Sequence, residues 1–316
     1  MTLVGREAHL GTQFLDMTLR RIFASLLYAA LSIGLCTVAA AQAIVVGAKE
    51  FTEQLLVAEM TAQLLQANGF STHKGTGFAT AGVRTLQESG IVDLYWEYTG
   101  TSLTTFHRVS EKLTAEEAYA KVKALDAERG LIWLAPSKVN NTYALAMRQA
   151  DAAARGIRSI TDLARKVGAG DAFRLASTAE FMTRPDGLQP LEQTYGFQFG
   201  RGNAVAMEVR GIYSSLRRSS EFDVGVVFAT DGRIPAFNLS VLDDDRGFFP
   251  SYLLTPVVRR TTLERLPGIK TPLEKLAAQL DNPTMAALNS AVDLEGRRVE
   301  DVASEFLRSR ALLQVP

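Results

Sequence analysis

The chain has 316 residues, of which 47% are hydrophobic and 22% charged, an ordinary composition for a globular protein with one large or two medium domains. Lysine plus arginine and aspartate plus glutamate balance at 34 each, so neither a nucleic-acid-binding protein nor an acidic disordered chain is favoured. The binding partner is therefore not expected to be a polyanion.

The first part of the chain carries the pattern of a secretory signal peptide. Arg20 and Arg21 precede an apolar run that closes with the small residues of the segment 39–43, as cleaved export signals do. We predict a signal peptide over residues 1–43 and a periplasmic location, with residues 1–16 as an extension if translation starts at Met17 rather than Met1. A retained membrane anchor is the alternative, because the run is near spanning length.

The single cysteine lies inside this apolar run. Cys36 follows Leu35, whereas a lipoprotein site needs a small residue just before the cysteine. After cleavage the chain would contain no thiol, so it could form no disulfide and use no cysteine nucleophile.

Downstream of the signal peptide, apolar runs alternate with amphipathic segments. Ile44–Gly47 predicts a strand, Thr52 is the expected N-cap of a helix, and a buried run over Ile91–Tyr98 enters a Thr/Gly turn. The glycines between residues 75 and 82 do not form a dinucleotide fingerprint, because Thr80 occupies the third glycine position. The strand–helix–strand order indicates a parallel sheet.

The same alternation restarts after a polar passage at residues 151–159. Strands are predicted near 174–177, 204–207 and 222–228, and further strands near 239–242 and 253–258 lead into helices expected to pack on the first block. We predict an α/β protein with lobe 1 at residues 44–147, lobe 2 at 148–229, and a return to lobe 1 at 230–316.

Polar and aromatic residues follow three of the predicted strands, at Lys49–Phe51, Tyr98–Thr101 and Phe228–Arg233. Ligands of open α/β sheets bind beyond the carboxyl ends of the strands. These segments are therefore expected to line one ligand cleft between the lobes, with Tyr95 and Trp96 as supporting core residues.

Catalytic patterns are weak by comparison. The histidines are His9, His73 and His107, and no nucleophile elbow is present, so an exported α/β hydrolase using His73 or His107 remains only the alternative function. The acidic run 243–245 lacks the spacing of a calcium loop. We expect no metal, no cofactor and no catalysis, and the predicted export and two lobes favour a binding protein.

Six ordered segments carry a family resemblance: Gly47–Gln54, Tyr98–Thr101, Asn141–Tyr143, Thr194–Gly196, Thr230–Arg233 and Phe248–Pro250. They resemble motifs of the substrate-binding proteins of osmoprotectant ABC importers for glycine betaine, choline and carnitine, most closely the OsmF-like branch. The match runs from about Ile44 to near the C-terminus.

The resemblance implies a type II periplasmic-binding-protein fold, in which two lobes joined by two crossings close on a quaternary ammonium ligand, and a membrane permease as partner. Aromatic faces attract a trimethylammonium group, whereas a carboxylate needs cationic and hydroxyl donors. By motif, the implied cage rings are Tyr98 and Phe228, the carboxylate partners are Lys49, Thr101 and Arg184, and the hinge-side residues are Asn141 and Asp231.

Two departures from the family pattern concern the cage. Ser137 and Leu188 stand where choline- and betaine-specific relatives are expected to have tyrosines, which predicts a cage reduced toward two rings. Each missing ring should weaken binding by roughly 0.5–2 kcal/mol, so glycine betaine is expected to be a weak ligand or not the physiological one. The alternative roles are salt bridges within the lobes for Lys49 and Arg184, and core packing for Phe228.

Overall fold

The computed structural model describes residues 43–218 and 221–313. Outside these ranges lie residues 1–42 of the predicted signal peptide, including Cys36 and both candidate start residues. Ala43, the last residue of the predicted signal, is described. Within the two ranges, no helix has both the length and the apolar character needed to span a membrane.

The described residues form ten strands and fourteen α-helices. The strands are β1 (Ile44–Lys49), β2 (Thr72–Phe78), β3 (Leu94–Tyr98), β4 (Leu131–Trp133), β5 (Tyr143–Arg148), β6 (Leu175–Ser177), β7 (Ala204–Ala206), β8 (Val224–Phe228), β9 (Leu239–Val241) and β10 (Leu254–Arg259). The helices are α1 (Thr52–Ala67), α2 (Thr80–Glu88), α3 (Thr99–Thr101), α4 (Ala115–Glu128), α5 (Gln149–Arg155), α6 (Ile160–Gly168), α7 (Ala179–Thr183), α8 (Leu188–Tyr195), α9 (Val209–Arg218), α10 (Arg233–Ala236), α11 (Arg260–Arg265), α12 (Lys270–Ala278), α13 (Asn282–Asp293) and α14 (Val299–Ser309). A π-helical turn, Ser102–Phe106, continues α3.

The strands form two five-stranded sheets, one in each lobe. The lobe 1 sheet has the order β2-β1-β3-β10-β4, in which β1 is parallel to β2 and β3, and β10 is antiparallel to β3 and β4. The lobe 2 sheet has the order β7-β6-β8-β5-β9 and the same mixture of parallel and antiparallel pairs. The predicted two-lobed α/β architecture is confirmed.

The strand pairing places the lobe boundaries differently from the sequence prediction. Residues 143–147 were assigned to lobe 1, but Tyr143 pairs with Phe228 and Met147 with Val224 in the lobe 2 sheet. Strand β9 also pairs with β5, so lobe 2 extends beyond residue 229 to Val241. The sequence could not show this, because β5 is an apolar run with the same character as the strands of lobe 1.

Two crossings, at residues 134–142 and 242–253, join the lobes and form the hinge. They pair with each other through a bridge between Asn140 and Leu253. The Tyr252 N–H donates to Oδ1 of Asn140 at 2.7 Å, and the Leu254 N–H donates to the Val139 carbonyl at 3.0 Å. The lobes are thus connected by one hydrogen-bonded ribbon.

Helix α1 supplies the central packing of lobe 1. Leu56, Met60 and Leu64 recur every fourth residue and are buried. Helices α13 and α14 pack against α1, as the sequence predicted for the C-terminal helices.

The predicted N-cap of α1 is wrong by one residue. Phe51 has the extended N-cap conformation, whereas Thr52 is the first helical residue and donates through Oγ1 to Asp293 at 2.7 Å.

A buried carboxylate holds the π-helical turn against lobe 1. Asp126 accepts two hydrogen bonds from Arg84, at 2.6 and 2.8 Å, and one from Nε1 of Trp133 at 2.7 Å. His107 contacts the same carboxylate at 2.7 Å. Burial alone would raise the pKa of Asp126, but the hydrogen bonds from Arg84 and His107 hold it below its usual range.

Gly100 lies where the strand end meets the hinge, and it has no room for a side chain. A Cβ there would lie 2.7 Å from the Ser251 carbonyl oxygen and 2.8 Å from Cδ1 of Tyr252. We therefore expect Gly100→Ala to lower the free energy of unfolding by about 1–3 kcal/mol, measured by urea denaturation. Gly168→Ala is the control, because nothing lies within 4 Å of its Cβ position. Equal stability of the two variants would contradict the prediction.

Candidate functional site

A cavity of about 560 Å³ lies between the lobes at the carboxyl ends of several strands. Lobe 1 contributes the segment 49–52 and the turn after β3, lobe 2 contributes the segments 178–180 and 206–210, and the hinge contributes Asn141 and Tyr252. The strand ends that the sequence singled out therefore meet in one cleft. Since both lobes supply its walls, opening or closing the hinge changes its shape.

Five aromatic side chains line this cavity and form what we call the aromatic wall. The Phe51 ring from lobe 1 is parallel to the Phe228 ring from lobe 2, with centroids 5.7 Å apart. The Phe51 ring also stacks on Tyr98 at 6.3 Å, and Tyr143 lies 5.1 Å from Phe228. The five members are Phe51, Tyr98, Tyr143, Phe228 and Tyr252.

The sequence predicted a cage reduced toward two rings, whereas five rings line the cavity. Ser137 is buried in the hinge, where its hydroxyl donates to the Leu254 carbonyl at 2.7 Å, and Leu188 packs in the core of lobe 2. Neither position lines the cavity. The additional rings come from Phe51 and Tyr143, which stand inside recognised motifs, and from Tyr252 in the hinge.

The hydroxyl of Tyr98 is fixed from behind by a buried acid. It donates to Oε1 of Glu53 at 2.7 Å and accepts from Nε2 of Gln54 at 3.2 Å. Glu53 stands in the first turn of α1. Burial raises the pKa of Glu53 against the lowering effect of its hydrogen bonds. The ring of Tyr98 therefore lines the cavity while its hydroxyl is held inside the protein.

Lys49 and Thr101 lie on the cavity wall as the sequence predicted. Nζ of Lys49 pairs with the buried carboxylate of Glu97 at 2.6 Å and lies 5.1 Å from the centre of the Tyr98 ring. The salt bridge foreseen as an alternative is therefore present, but an ammonium group has three donors and one such bond leaves two. The Thr101 hydroxyl makes no hydrogen bond within the described ranges, so it is available to a ligand.

Arg184 is buried beside the wall with most of its donors engaged. Its Nε and Nη2 atoms each bond Asp186 at 2.7 Å, and Nη1 bonds Glu180 at 3.0 Å. The Asp186 carboxylate also accepts from Tyr252 at 2.5 Å and from Thr104 of lobe 1 at 2.9 Å. Arg184 thus belongs to a network that joins lobe 2 to the hinge and to lobe 1, with one Nη1 hydrogen left for the cavity.

Of the two residues predicted for the hinge side, Asn141 lines the large cavity and Asp231 does not. Asn141 donates to Glu53 at 2.9 Å and accepts from the Thr230 N–H at 3.3 Å. Asp231 does not line the large cavity; it pairs with Arg233 at 2.5 and 2.8 Å and borders a separate cavity of about 20 Å³. Asn141 borders both cavities.

Several residues of the site were missed by the sequence analysis. Glu53 looked like an ordinary exposed acid at a helix start, and only its burial reveals it. Glu208 and Arg210 also line the cavity, but they lie in no recognised sequence motif. Phe51 stands in a segment that was expected to line the cleft and Tyr143 in a recognised motif, but neither was named as a ring of the cage.

Neither described histidine is near the cavity lining. His73 is exposed on β2, and His107 is held by Asp126 in lobe 1. The hydrolase alternative relied on one of these histidines beside a nucleophile and a bound substrate, so it has no support.

A ligand-sized cavity between two α/β lobes joined by a paired hinge defines a solute-binding protein of the type II periplasmic class. The sequence profile described as the substrate binding domain of ABC-type glycine betaine transport systems matches residues 42–309. The chain therefore belongs to this family of ABC-importer binding proteins.

Individual relatives agree with this family. The glycine-betaine-binding protein of Pseudomonas aeruginosa is 40% identical over 301 residues, which cover 93% of this chain and 96% of that protein. The glycine betaine-binding protein YehZ of Escherichia coli is 33% identical, covering 86% and 92%. The solved structure of apo YehZ superposes with a TM-score of 0.63 at 32% identity, covering 86% of this chain and all of that one. Lactococcal OpuAC in complex with glycine betaine shares the fold, with a TM-score of 0.61 at 12% identity, 85% of this chain and 96% of that one.

Proposed function

We propose that the protein binds a zwitterion with a quaternary ammonium group, such as glycine betaine, and delivers it to the membrane permease of an ABC importer. The observation that carries this proposal is the aromatic wall, because five rings around one cavity are suited to a methylated cation that offers no hydrogen-bond donor. Binding proteins of this family act outside the cytoplasmic membrane. The predicted signal peptide supports a periplasmic location for this one.

The two ends of the ligand would be held by different groups. The cation lies against the faces of Tyr98, Tyr143 and Phe228, where the negative ring faces attract it. The carboxylate accepts hydrogen bonds from Lys49 and Thr101, with the remaining Nη1 hydrogen of Arg184 as a further donor. Asn141 and Asp231 act indirectly, by fixing Glu53 and Arg233 beside the hinge.

Closure of the lobes brings the two halves of the site together. Phe51 and Phe228 meet across the cleft, and Thr80 of lobe 1 donates to Glu180 of lobe 2 at 3.1 Å. A ligand that contacts both lobes stabilises the closed form, because it binds that form better than the open one. The permease would then recognise the closed protein.

A small panel of ligands tests the proposed function. We expect glycine betaine or another N-methylated zwitterion to raise the melting temperature, because a ligand at 100 times its dissociation constant stabilises the folded state by about 2.7 kcal/mol. The panel contains glycine betaine, choline, carnitine, proline betaine and ectoine, scanned by calorimetry and titrated isothermally. The proposal is wrong if no member shifts the melting temperature or gives binding heat.

A further inference from the structure

Glu53 is a buried acid placed directly behind the aromatic wall. Glu53 is only 2% exposed, and its Oε1 atom accepts a hydrogen bond from the Tyr98 hydroxyl at 2.7 Å. The carboxyl group is therefore one phenol ring away from the cavity surface. A charge at that position acts on a cation bound against the Tyr98 ring, since the buried protein between them screens the charge less than water would.

Hydrogen-bond donors from separate parts of the fold converge on this carboxyl group. Asn141 of the hinge donates to Oε1 at 2.9 Å, and Thr230, which follows β8, donates to Oε2 at 2.5 Å. Asn289 of α13 lies 3.4 Å from Oε2. Such donors favour the ionised form, whereas complete burial favours the neutral acid and raises the pKa of Glu53.

The surroundings also accommodate a neutral, protonated Glu53. Two neighbouring amide oxygens, Oε1 of Gln54 and Oδ1 of Asn289, are buried without a hydrogen-bond partner among the described residues. A carboxylic acid in this cluster has a proton to donate and acceptors in need of one. The cluster is therefore compatible with both protonation states.

None of the charged groups that the structure describes around Glu53 forms an ion pair with it. They are Lys49 at the end of β1, Glu97 on β3, Asp231 and Arg233 after β8, and Asp293 at the end of α13. Lys49 is paired with Glu97 at 2.6 Å. Arg233 is shared between Asp231 at 2.5 Å and Asp293 at 3.3 Å, so none of these cations is committed to Glu53.

We propose that Glu53 is the counter-charge of the ligand's quaternary ammonium group, and that ligand binding releases the Glu53 proton to water. The O–H bond of the acid breaks, its electron pair stays on the carboxylate, and the proton passes to a water molecule. The cavity of about 20 Å³ beside Glu53 is large enough for one water. This inference rests on the proposed function, because it requires a cationic ligand on the wall.

The proposal fixes the sign of the pH dependence. Ligand affinity is highest where Glu53 is already ionised in the free protein, and it falls as the pH drops below the pKa of Glu53 in that state. Release of one proton changes affinity by up to tenfold per pH unit. Because the pKa of Glu53 is raised above the ordinary 4.5, this fall begins at higher pH than for an exposed glutamate.

The experiment is isothermal titration with glycine betaine from about pH 5 to about pH 8, in paired buffers of different ionisation enthalpy, which counts the protons released. For the wild type we expect proton release and an affinity that rises with pH. Glu53→Gln should bind without proton release and with a flat pH profile. Tyr98→Phe removes a donor that stabilises the carboxylate, so it should shift the pH profile upward, and it serves if Glu53→Gln does not fold.

Two control variants identify the source of the proton. Glu59→Gln changes a buried glutamate on the same helix that pairs with Lys74 away from the cavity, and it should keep the wild-type proton release. Asp293→Asn removes the other cleft acid whose pKa is raised by burial, and it should also keep the release.

Binding to the wild type without proton release would overturn the proposal, and so would an unchanged release in Glu53→Gln. If no ligand of the panel binds the wild type at any pH, the proposed function itself is wrong and this inference falls with it.

Discussion

Replacing Arg184 by alanine is expected to lower the free energy of unfolding by about 3–5 kcal/mol, because Asp186 would remain buried without its guanidinium partner. The side chains of Arg184 and Asp186 are only 3% and 6% exposed, and two bonds of 2.7 Å join them. Urea denaturation measures the change, provided that the dependence of the unfolding free energy on urea concentration is the same in the variant and the wild type.

A variant of an exposed arginine is the control, because it shows how much stability is lost when an arginine is removed without leaving a buried carboxylate unpaired. Arg298 pairs with Asp301 at 2.7 Å, but the two side chains are 72% and 55% exposed, so Arg298→Ala should leave the free energy of unfolding nearly unchanged. The double variant Arg184→Ala with Asp186→Ala should be less destabilised than Arg184→Ala alone, since no buried charge is left unpaired: Glu180, which also loses its partner, is 40% exposed. Equal losses for Arg184→Ala and Arg298→Ala would contradict the prediction.

Replacing Tyr98 by alanine is expected to weaken the binding of glycine betaine about 5- to 30-fold, because one ring of the aromatic wall is removed. The Tyr98 ring lies at the centre of the site, between the Phe51 ring at 6.3 Å and the Lys49 ammonium at 5.1 Å. Isothermal titration at a pH where the wild type binds most tightly gives the affinity ratio.

Tyr119→Ala is the control for this loss. Its hydroxyl donates to the Leu134 carbonyl at 2.8 Å in lobe 1, and the residue does not line the cavity. This variant should bind with wild-type affinity. An unchanged affinity in Tyr98→Ala would show that the Tyr98 ring does not hold the cation.

Much of the fold was predictable because its buried strands are short apolar runs. β1, β3 and β8 were predicted from such runs, and the polar or aromatic residues at their ends do meet in the cleft. The lobe boundary was not predictable, because the partner of Tyr143 is Phe228, far along the chain. Local sequence gives the type of an element, whereas the sheet it joins depends on long-range pairing.

The site was predictable to the level of residue identity but not of contacts. Lys49 and Thr101 were predicted on the wall and lie there, yet the partner of Lys49, Glu97, is on another strand. Arg184 and Asp186 are two residues apart, so their pair could have been foreseen. Glu53 could not, since a glutamate in the first turn of a helix is usually explained by the helix dipole and solvent.

The order of the lobe 1 strands has a consequence for the way the chain reaches its folded state. β10 lies between β3 and β4 in the sheet, although all of lobe 2 separates it from them in sequence. The lobe 2 strands, in contrast, form one uninterrupted stretch from β5 to β9. As the chain is synthesised from its N-terminus, lobe 2 can complete its sheet first, whereas β4 cannot pair until β10 has been synthesised. The first lobe to be synthesised is thus the last to be finished.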